Sequence, residues 1–324
     1  MHCHFFIPEN SLPAAEERPF WLAGEPRQIE PPGKASTAQN WILLTFARLA
    51  KAGCPVRLCH AIPDEGVVFA LTGSLPADFK APAGVFLVGV VADGLPHSAC
   101  HFHILQNAAH ARRLPQACFI PHWPQPGLIP RDPGRGERFE NLVFYGDPPN
   151  LASDLRDPGF AARMKRDFGV TFRIAENGCW HDYSAADAAI GIRAFGSKPF
   201  LRKPSTKLYN AWLAGVPFIG GADSALAADG RPGIDFLRCT DLQAVEKAVG
   251  QLRDSPALRR RLVSEGLATG KDFLEDRILA RWKAILETLA HEKAPGFLSR
   301  PSPAKKFFKL TQWFAVRFDI LTAR

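Results

Sequence analysis

The stretch that decides the fold is KPSTKLYNAWLAGVPFIG, residues 203–220. Pro204 cannot extend a helix towards the N-terminus, and Ser205 or Thr206 directly after it can cap a helix that follows. Gly215 ends that helix, and the apolar run after it predicts a buried strand over 216–220. A helix followed at once by a buried strand is typical of a layered α/β domain, which is the fold class we predict.

Three basic side chains surround the start of this helix: Arg193, Lys203 and Lys207. The free amides and the dipole of a helix N-terminus attract anions, and nearby cations add charge-assisted hydrogen bonds. Such a set suits a diphosphate group on which negative charge develops. The predicted phosphate site comprises Arg193, Lys203, Ser205, Thr206 and Lys207. The alternative is a surface helix with solvated lysines.

Outward from this stretch, short β-rich runs alternate with helical stretches, which is typical of parallel sheets with helices packed against them. In the first half, strands are predicted at 56–59, 67–71, 85–91, 101–105 and 118–121, after a helix over 36–52. In the second half, strands are predicted at 141–145, 170–175, 188–192, 216–220 and 234–238, with helices at 157–168, 205–214, 241–253, 256–265 and 271–290.

A segment rich in proline, glycine and charge, residues 130–138, separates the two halves and is interpreted as a linker. A chain of 324 residues exceeds what one hydrophobic core usually organises. We therefore expect a first Rossmann-like domain over 1–138, a second over 139–292 and a tail over 293–324. Ligands of parallel sheets bind beyond the carboxyl ends of the strands, so the cleft between the two domains is the expected active site.

The charge of the chain is concentrated at its end. Residues 293–324 contain seven basic residues and one acid, which leaves +2 of the total net charge of +8 for residues 1–292. A nucleic-acid binder would spread its basic residues over a folded face, so nucleic acid is not an expected partner.

The cysteines and the apolar runs indicate the compartment. The seven cysteines are scattered without a Cys-x-x-Cys pair, which argues against a disulfide framework or a closed zinc site and fits a reducing cytoplasm. The first residues lack the pattern of a signal peptide, and no run approaches the roughly 20 apolar residues of a spanning helix. A cytoplasmic location is therefore expected.

Lys207-Leu-x-Asn-Ala-x-x-Ala-Gly-Val-Pro-x-Ile resembles the donor-domain core of GT-B glycosyltransferases of the family 1 and family 4 kind. The resemblance covers about residues 41–282 and implies two Rossmann-like domains facing a cleft, with a nucleotide-sugar bound to the second. It also implies that protein cations act in place of a metal ion, with the nucleotide-sugar as co-substrate and no further cofactor. Many retaining members carry a Glu-x7-Glu pair here. This chain has Asn210 at the second position and Arg202 eight residues earlier, so Asn210 is expected to hydrogen-bond a ribose hydroxyl.

The same resemblance implies that the loop before Arg193 and its strand faces the nucleotide. This loop contains Trp180 and Tyr183, which could stack on a base, and His181, which could donate to a phosphate. Asp182 is a candidate catalytic carboxylate. Further predicted donor-binding residues are Gly146, Trp180, His181, Tyr183 and Ser184. The alternative is that the two aromatic residues belong to the core and that Asp182 and Ser184 cap a turn.

A proline-rich loop over 120–131 follows the last predicted strand of the first half and is rigid for that reason. His122 in this loop is a candidate general base, because imidazole titrates near neutral pH. Its alternative role is to bond a backbone carbonyl. Neutral polar and aromatic side chains suited to sugar hydroxyls give the predicted acceptor-binding set, which is Asn40, Asn107, Trp123 and Gln125. The asparagines could equally be helix caps.

Histidine pairs provide a weak case for a metal. His2 and His4 alternate like strand residues, as do His101 and His103, and no carboxylate lies nearby in sequence. No metal site is therefore predicted.

The tail has a helical stripe over 305–321. Its apolar members, at spacings of three and four residues, are Phe307, Leu310, Phe314, Phe318 and Leu321. Aromatic residues beside lysines suit an anionic membrane surface, so a peripheral membrane location is one interpretation. The other is a helix that crosses back and packs on the first domain.

These patterns together predict a glycosyltransferase that moves a sugar from a nucleotide diphosphate to a hydroxyl of a glycan, lipid or protein. One alternative is a sugar-nucleotide epimerase, which would act without an acceptor. Another is a catalytically silent, membrane-associated subunit that keeps the fold and lacks the acidic pair.

Overall fold

The computed structural model describes residues 1–25, 36–175 and 178–322. Its strands form two parallel sheets. The first has the order β2-β1-β3-β4-β5-β6, from β1 (Cys3–Phe6), β2 (Val56–Cys59), β3 (Glu65–Leu71), β4 (Gly84–Ala92), β5 (Phe102–Leu105) and β6 (Ala117–Phe119). The second has the order β11-β10-β9-β7-β8, from β7 (Asn141–Phe144), β8 (Thr171–Ile174), β9 (Ala188–Gly191), β10 (Phe218–Gly220) and β11 (Leu237–Arg238).

Twelve α-helices are present in the described ranges. In the first half and the following region they are α1 (Arg18–Leu22), α2 (Leu44–Lys51), α3 (Ala108–Ala111), α4 (Ser153–Arg156), α5 (Pro158–Phe168) and α6 (Thr206–Leu213). The remainder are α7 (Ser224–Asp229), α8 (Leu242–Asp254), α9 (Pro256–Gly270), α10 (Glu275–Thr288), α11 (Ala294–Leu298) and α12 (Ser302–Thr322). Wider π-helical turns, Gln39–Leu43 and Leu289–Lys293, precede α2 and join α10 to α11. Short 3-10 turns fall at Glu9–Ser11, Thr72–Ser74, Pro133–Arg135, Pro148–Asn150 and Lys271–Phe273.

The two sheets and their helices confirm the predicted α/β fold with two Rossmann-like halves. One strand was not predicted. β1 inserts between β2 and β3, with Cys3 and Phe5 buried and the alternate side chains half-buried. Four residues are too short a run to give a clear period, although the alternation of His2 and His4 belonged to this strand.

The chain returns to the first sheet near its end. The predicted helix over 271–290 is interrupted at Leu274, whose backbone is extended, and α10 begins after it. Trp282 of α10 then lies against Phe5, with ring centroids 6.2 Å apart, and Phe297 of α11 lies 5.8 Å from Phe86. These contacts place α10 and α11 in the hydrophobic core of the first sheet. The boundaries predicted for the two domains and the tail stay predictions.

The segment 130–138 is bonded to the second sheet. Asp187, which is buried just before β9, accepts from Arg131 Nη2 at 2.8 Å and from Arg135 Nη2 at 2.7 Å. The amides of Glu140 and Asn141 donate to the same carboxylate at 2.9 and 3.0 Å. Burial alone would raise the pKa of Asp187, but these hydrogen bonds hold it below its usual value.

The final helix α12 packs on the first sheet through Val316, which lies with Val91 and Leu105 in a small apolar cluster. The predicted stripe of Phe307 and its partners faces away from that contact and is exposed. The predicted C-terminal amphipathic helix is therefore confirmed, and its more polar side is the one that meets the body.

Candidate active site

A cavity of about 260 Å³ lies between the two sheets, where the carboxyl ends of their strands face each other. The half of the chain that holds the first sheet contributes Thr37, Asn40, Trp41, Asp93, His122 and Gln125. The other half contributes, among others, Gly146, Trp180, Tyr183, Thr206, Lys207 and Asn210. The cleft thus brings together residues that the sequence assigned separately to donor and acceptor.

Helix α6 is fixed by its buried face. Tyr209 stacks on Phe273 with ring centroids 4.8 Å apart, and Trp212 donates from Nε1 to the Asp235 carbonyl at 2.8 Å. Because these side chains are buried on one side of the helix, the first turn presents Lys207 to the cavity. The N-terminus of α6 therefore opens at the cleft, as the sequence indicated.

Ser205 occupies the N-cap position of α6, but its side chain does not cap the helix. Its hydroxyl bonds the carboxylate of Asp229 instead. Burial raises the pKa of Asp229 to about 6, against the opposing effect of the Ser205 hydrogen bond. The predicted capping role of Ser205 is thus wrong. The amides of Leu208 and Tyr209 donate to the Ser205 carbonyl at 2.8 and 3.4 Å, whereas those of Thr206 and Lys207, the first two residues of α6, come too early for a partner within the helix.

Lys207 lies in a confined position beneath Gly146. A Cβ added to Gly146 would lie 2.8 Å from Lys207 Cε and 3.0 Å from its Nζ, so glycine leaves the space that the lysine occupies. Burial lowers the pKa of Lys207 to about 7, and the positive charge of Arg193 adds to this effect. The ammonium group is therefore poorly compensated, and an anion in the cavity would stabilise its charged form.

Arg193 leaves β9 and is held by two polar side chains. Its Nε donates to Asp223 Oδ2 at 2.9 Å, and its Nη1 donates to Asn150 Oδ1 at 3.3 Å. Asp223 is buried, which raises the pKa of its carboxyl group, and its second oxygen has no hydrogen-bond partner. Arg193, Asp223 and Lys207 line one small cavity that adjoins the cleft.

Lys203 bridges the two halves of the molecule. Its Nζ donates to Asp93 Oδ2 at 2.8 Å, and Asp93 follows β4 of the first sheet. Asn107 Nδ2 donates to the Lys203 carbonyl at 3.2 Å and to Ser224 Oγ at 2.9 Å. The side-chain oxygen of Asn107 also caps α3. Asn107, predicted to bind the acceptor, thus uses every polar atom of its side chain within the protein: Nδ2 joins the two halves, and Oδ1 caps α3.

Asn210 and Tyr209 bind the proline-rich loop from the other side. Asn210 Oδ1 accepts from the amide of Gln125 at 3.1 Å, and the Tyr209 hydroxyl donates to the His122 carbonyl at 2.9 Å. These bonds hold His122 and Gln125 against α6 at the edge of the cavity. Asn210, which stands where the resemblance led us to expect a glutamate, therefore joins α6 to the proline-rich loop of the first half.

His122 is half-buried, and its ring lies 4.0 Å from that of Trp41. Its Nδ1 donates to the Trp123 carbonyl at 2.7 Å. Burial lowers the pKa of His122 to about 4, although the hydrogen bond to Trp123 acts in the opposite direction. The imidazole is consequently neutral at pH 7, the state that a proton acceptor requires.

The loop after β8 divides between the cavity and its surroundings. Trp180 and Tyr183 line the cavity. Tyr183 is also a core residue, and its ring stacks on that of Tyr145 with centroids 3.8 Å apart. The indole N–H of Trp180 is buried and has no hydrogen-bond partner among the residues that the structure describes, so a ligand could satisfy it. His181 bonds the Gly178 carbonyl at 3.0 Å. Asp182 is exposed and accepts from the Ser184 amide at 2.8 Å, so it forms the turn given as its alternative role.

Two acceptor candidates differ in exposure. Asn40 lines the cavity at the start of the helical segment before α2. Trp123 is 1% exposed, and its Nε1 donates to Thr45 Oγ1 at 2.9 Å, within the core of the first sheet. The structure thus brings Asn40 and Gln125 to the cleft and places Trp123 behind it. The roles assigned to the predicted donor, acceptor and catalytic residues stay predictions.

Three carboxylates near the cleft were not predicted: Asp93, Asp147 and Asp223. Each follows within three residues of a strand that the sequence did predict. Since parallel strands bring their carboxyl ends to one edge, inspection of every acidic residue just after a strand would have identified them.

Residues 1–25, 36–175 and 178–322 lack two further features. No helix there is both long and apolar enough to cross a bilayer. No three side chains of histidine, cysteine, aspartate or glutamate are grouped there as a metal site would need.

Known structures share this architecture. HepE from Anabaena, determined in complex with UDP and glucose, matches with a TM-score of 0.55 and 12% identity, over 90% of this chain and 100% of HepE. The pneumococcal O-GlcNAc transferase GtfA, in complex with UDP and GlcNAc, matches with a TM-score of 0.50 and 14% identity, over 78% of this chain and 60% of GtfA. No protein-family model and no curated protein sequence matches the chain. The chain thus has the GT-B fold of glycosyltransferases, which confirms the fold implied by the sequence resemblance.

Proposed function

We propose that this protein transfers a glycosyl group from a nucleoside-diphosphate sugar to a hydroxyl acceptor. The observation that carries the proposal is Lys207, confined at the N-terminus of α6 in the cleft, with a pKa lowered to about 7. A buried cation of this kind, with Arg193 behind it, suits a group that gains negative charge as a bond breaks. UDP in the complexes of HepE and GtfA supports a nucleoside diphosphate as the probe.

In this proposal the second half of the molecule binds the donor. Lys207 and the first amides of α6 bind the diphosphate, and Arg193 contributes charge from behind the lysine. Trp180 supplies the unpartnered indole N–H and an aromatic surface for the nucleotide. Departure of the diphosphate leaves its extra charge next to Lys207, so the lysine stabilises the leaving group more than the bound donor.

The first half presents the acceptor. Asn40 and Gln125 line the cavity opposite Lys207 and offer neutral hydrogen bonds to hydroxyl groups. His122 lies between them as a neutral imidazole and is proposed to receive the acceptor proton. No metal ion takes part in this proposal, and activity in excess EDTA equal to that with added Mg²⁺ or Mn²⁺ is the corresponding expectation.

Calorimetry with UDP, GDP and ADP tests the donor site. Lys207→Met should weaken the binding of the preferred nucleoside diphosphate by a factor of about 10 to 100. This loss corresponds to roughly one hydrogen bond to a charged group. Lys198→Met is the matched control, because Lys198 is exposed on the loop before α6. Unchanged affinity in Lys207→Met, or an equal loss in Lys198→Met, would contradict the assignment.

The affinity should also depend on pH. The pKa of Lys207 is about 7 in the free protein, and a bound diphosphate favours the charged lysine and raises that pKa. Binding above pH 7 must therefore take up a proton, and affinity should fall by up to about tenfold per pH unit. Lys207→Arg keeps its charge, so its affinity should be flat between pH 7 and 9. If the affinity of the wild type is as independent of pH as that of Lys207→Arg, Lys207 does not bind the diphosphate.

A further inference from the structure

The final helix α12 presents its apolar side to solvent. Five of its residues form the exposed stripe: Phe307, Leu310, Phe314, Phe318 and Leu321, between 52% and 69% exposed. Elsewhere in the described ranges, the large exposed hydrophobic side chains are at most 48% exposed. Scattered single hydrophobic residues are normal on a surface, whereas a contiguous stripe of this exposure marks an interaction site.

The orientation of α12 is fixed by its other side. Asp319 is 1% exposed and accepts from His110 Nε2 at 2.7 Å and from Arg113 Nε at 3.0 Å. Arg202, from the loop before α6, donates to the Ile320 carbonyl at 3.2 Å. Rolling the helix to bury its stripe would take the Asp319 carboxylate away from both hydrogen-bond donors. The stripe therefore remains available on the outside of the molecule.

Exposed basic residues occur on α12, and two of them, Lys306 and Arg317, lie beside the stripe. Lys306, Lys309 and Arg317 are exposed, whereas the single acid of α12, Asp319, is buried and paired. Arg317 lies 5.3 Å from the ring centroid of Trp313, which is itself 40% exposed. At helical spacing, Lys306, Trp313 and Arg317 lie on one flank of the stripe. The outer surface of α12 is thus apolar along its middle and positive along one flank.

We propose that α12 lies in the plane of an anionic lipid surface, with its stripe buried at the boundary between headgroups and acyl chains. An exposed apolar face with a basic flank and a tryptophan at the edge has the chemistry of an interfacial helix. A second copy of the chain fits less well, because an antiparallel two-fold contact through the stripe would bring two identical basic flanks together, and α12 exposes no acidic residue to pair with them. This inference does not depend on the proposed glycosyl transfer.

Flotation with vesicles tests the proposal on the full chain. Vesicles of phosphatidylcholine with 30% phosphatidylglycerol should bind the protein, and pure phosphatidylcholine should bind it weakly. Replacing Lys306, Lys309 and Arg317 by glutamine should reduce vesicle binding on the order of 100-fold. Each basic residue near an anionic surface raises the binding constant by about fivefold, and the three factors multiply. Glutamine at Lys165, Lys247 and Lys271, which are exposed elsewhere, removes equal charge and should leave binding unchanged.

The stripe is tested separately. Replacing Phe307, Phe314 and Phe318 by serine should abolish flotation, whereas serine at Leu22, Leu95 and Leu267 should not, because these control residues are 42–48% exposed outside α12. Brominated acyl chains should quench tryptophan fluorescence in the wild type, and Trp313→Phe should remove that quenching.

Three outcomes would overturn the proposal. One is equal binding of wild type and the stripe variant to anionic vesicles. Another is equal binding to anionic and to pure phosphatidylcholine vesicles, with no loss in the glutamine variant of Lys306, Lys309 and Arg317. The third is absence of vesicle binding together with a dimer that the stripe variant converts to a monomer, which would assign the stripe to a second copy.

Discussion

Helices α6 and α12 use the same kind of pattern in opposite ways. In α6 the apolar side, with Leu208 and Trp212, is buried and the charged first turn faces the cleft. In α12 the buried residues include Gln312 and Asp319, and three of its four phenylalanines, Phe307, Phe314 and Phe318, face solvent. The difference shows that an amphipathic period identifies two faces of a helix. It does not tell which face meets the body of the protein.

The largest expected effect is on the buried side of α6. Trp212 is 1% exposed, so Trp212→Ala should lower the free energy of unfolding by about 3–5 kcal/mol. Chemical denaturation measures this difference. A loss below about 1 kcal/mol would mean that α6 is not anchored as described.

Gly266 of α9 sharpens this test, because a Cβ there would lie 2.3 Å from Trp212 Cδ1. Gly266→Ala alone should cost about 1–3 kcal/mol through overpacking. In the Trp212→Ala background the same substitution should cost nothing or stabilise, since the methyl group enters the space left by the indole. Additive effects in this double-mutant cycle would exclude the direct contact.

An intermediate effect is expected on the buried side of α12. Asp319→Asn should lower the free energy of unfolding by about 1–3 kcal/mol at pH 7, because His110 and Arg113 lose a charged acceptor. Burial tends to raise the pKa of Asp319, but its hydrogen bond to His110 holds it below the usual value. The carboxylate therefore stabilises the fold above the unfolded pKa of about 4, and this stabilisation is lost as pH falls below that value. Denaturation series at pH 7 and pH 3 should show the gap between wild type and variant narrowing, and a gap that widens in acid would refute this account.

The smallest effect is expected on the outer side of α12. Phe314 is 59% exposed, so Phe314→Ala should change the free energy of unfolding by no more than about 0.5 kcal/mol. Val316, two residues further on, is 1% exposed, and Val316→Ala should cost about 1.5 kcal/mol. Thermal or chemical denaturation of the two variants makes the comparison. Equal costs would indicate that the helix packs through its aromatic stripe.

The sequence predicted most of the architecture because the decisive elements carry local signals. Pro204 and Gly215 set the limits of α6, and the runs rich in valine predicted β3 and β4 almost to their ends. β1 was not predicted because a strand of four residues that includes a histidine shows little hydrophobic period. Its place in the sheet also depends on pairing with residues more than 50 positions away.

The candidate site was predicted in outline for the same reason. The approach of Lys207 to the cleft follows from its place in the first turn of α6. The partners of Lys203 and Asn107 could not be foreseen, because Asp93 and Ser224 lie about 110 residues away in the chain. Whether a polar side chain faces a ligand or joins the two halves is decided by such distant contacts.

The bonding of residues 129–138 has a mechanical consequence. The Ile129 amide donates to the His181 carbonyl at 2.8 Å, and the Arg131 amide donates to the Ala214 carbonyl at 2.9 Å. Two of the three arginines of the segment, Arg131 and Arg135, bind Asp187. The segment 130–138, which its composition led us to interpret as a linker, is thus held firmly against the second sheet. The bonds from Tyr209 to His122 and from Gln125 to Asn210 extend this attachment along the proline-rich loop. The point at which the first half of the molecule could turn against the second therefore lies before His122.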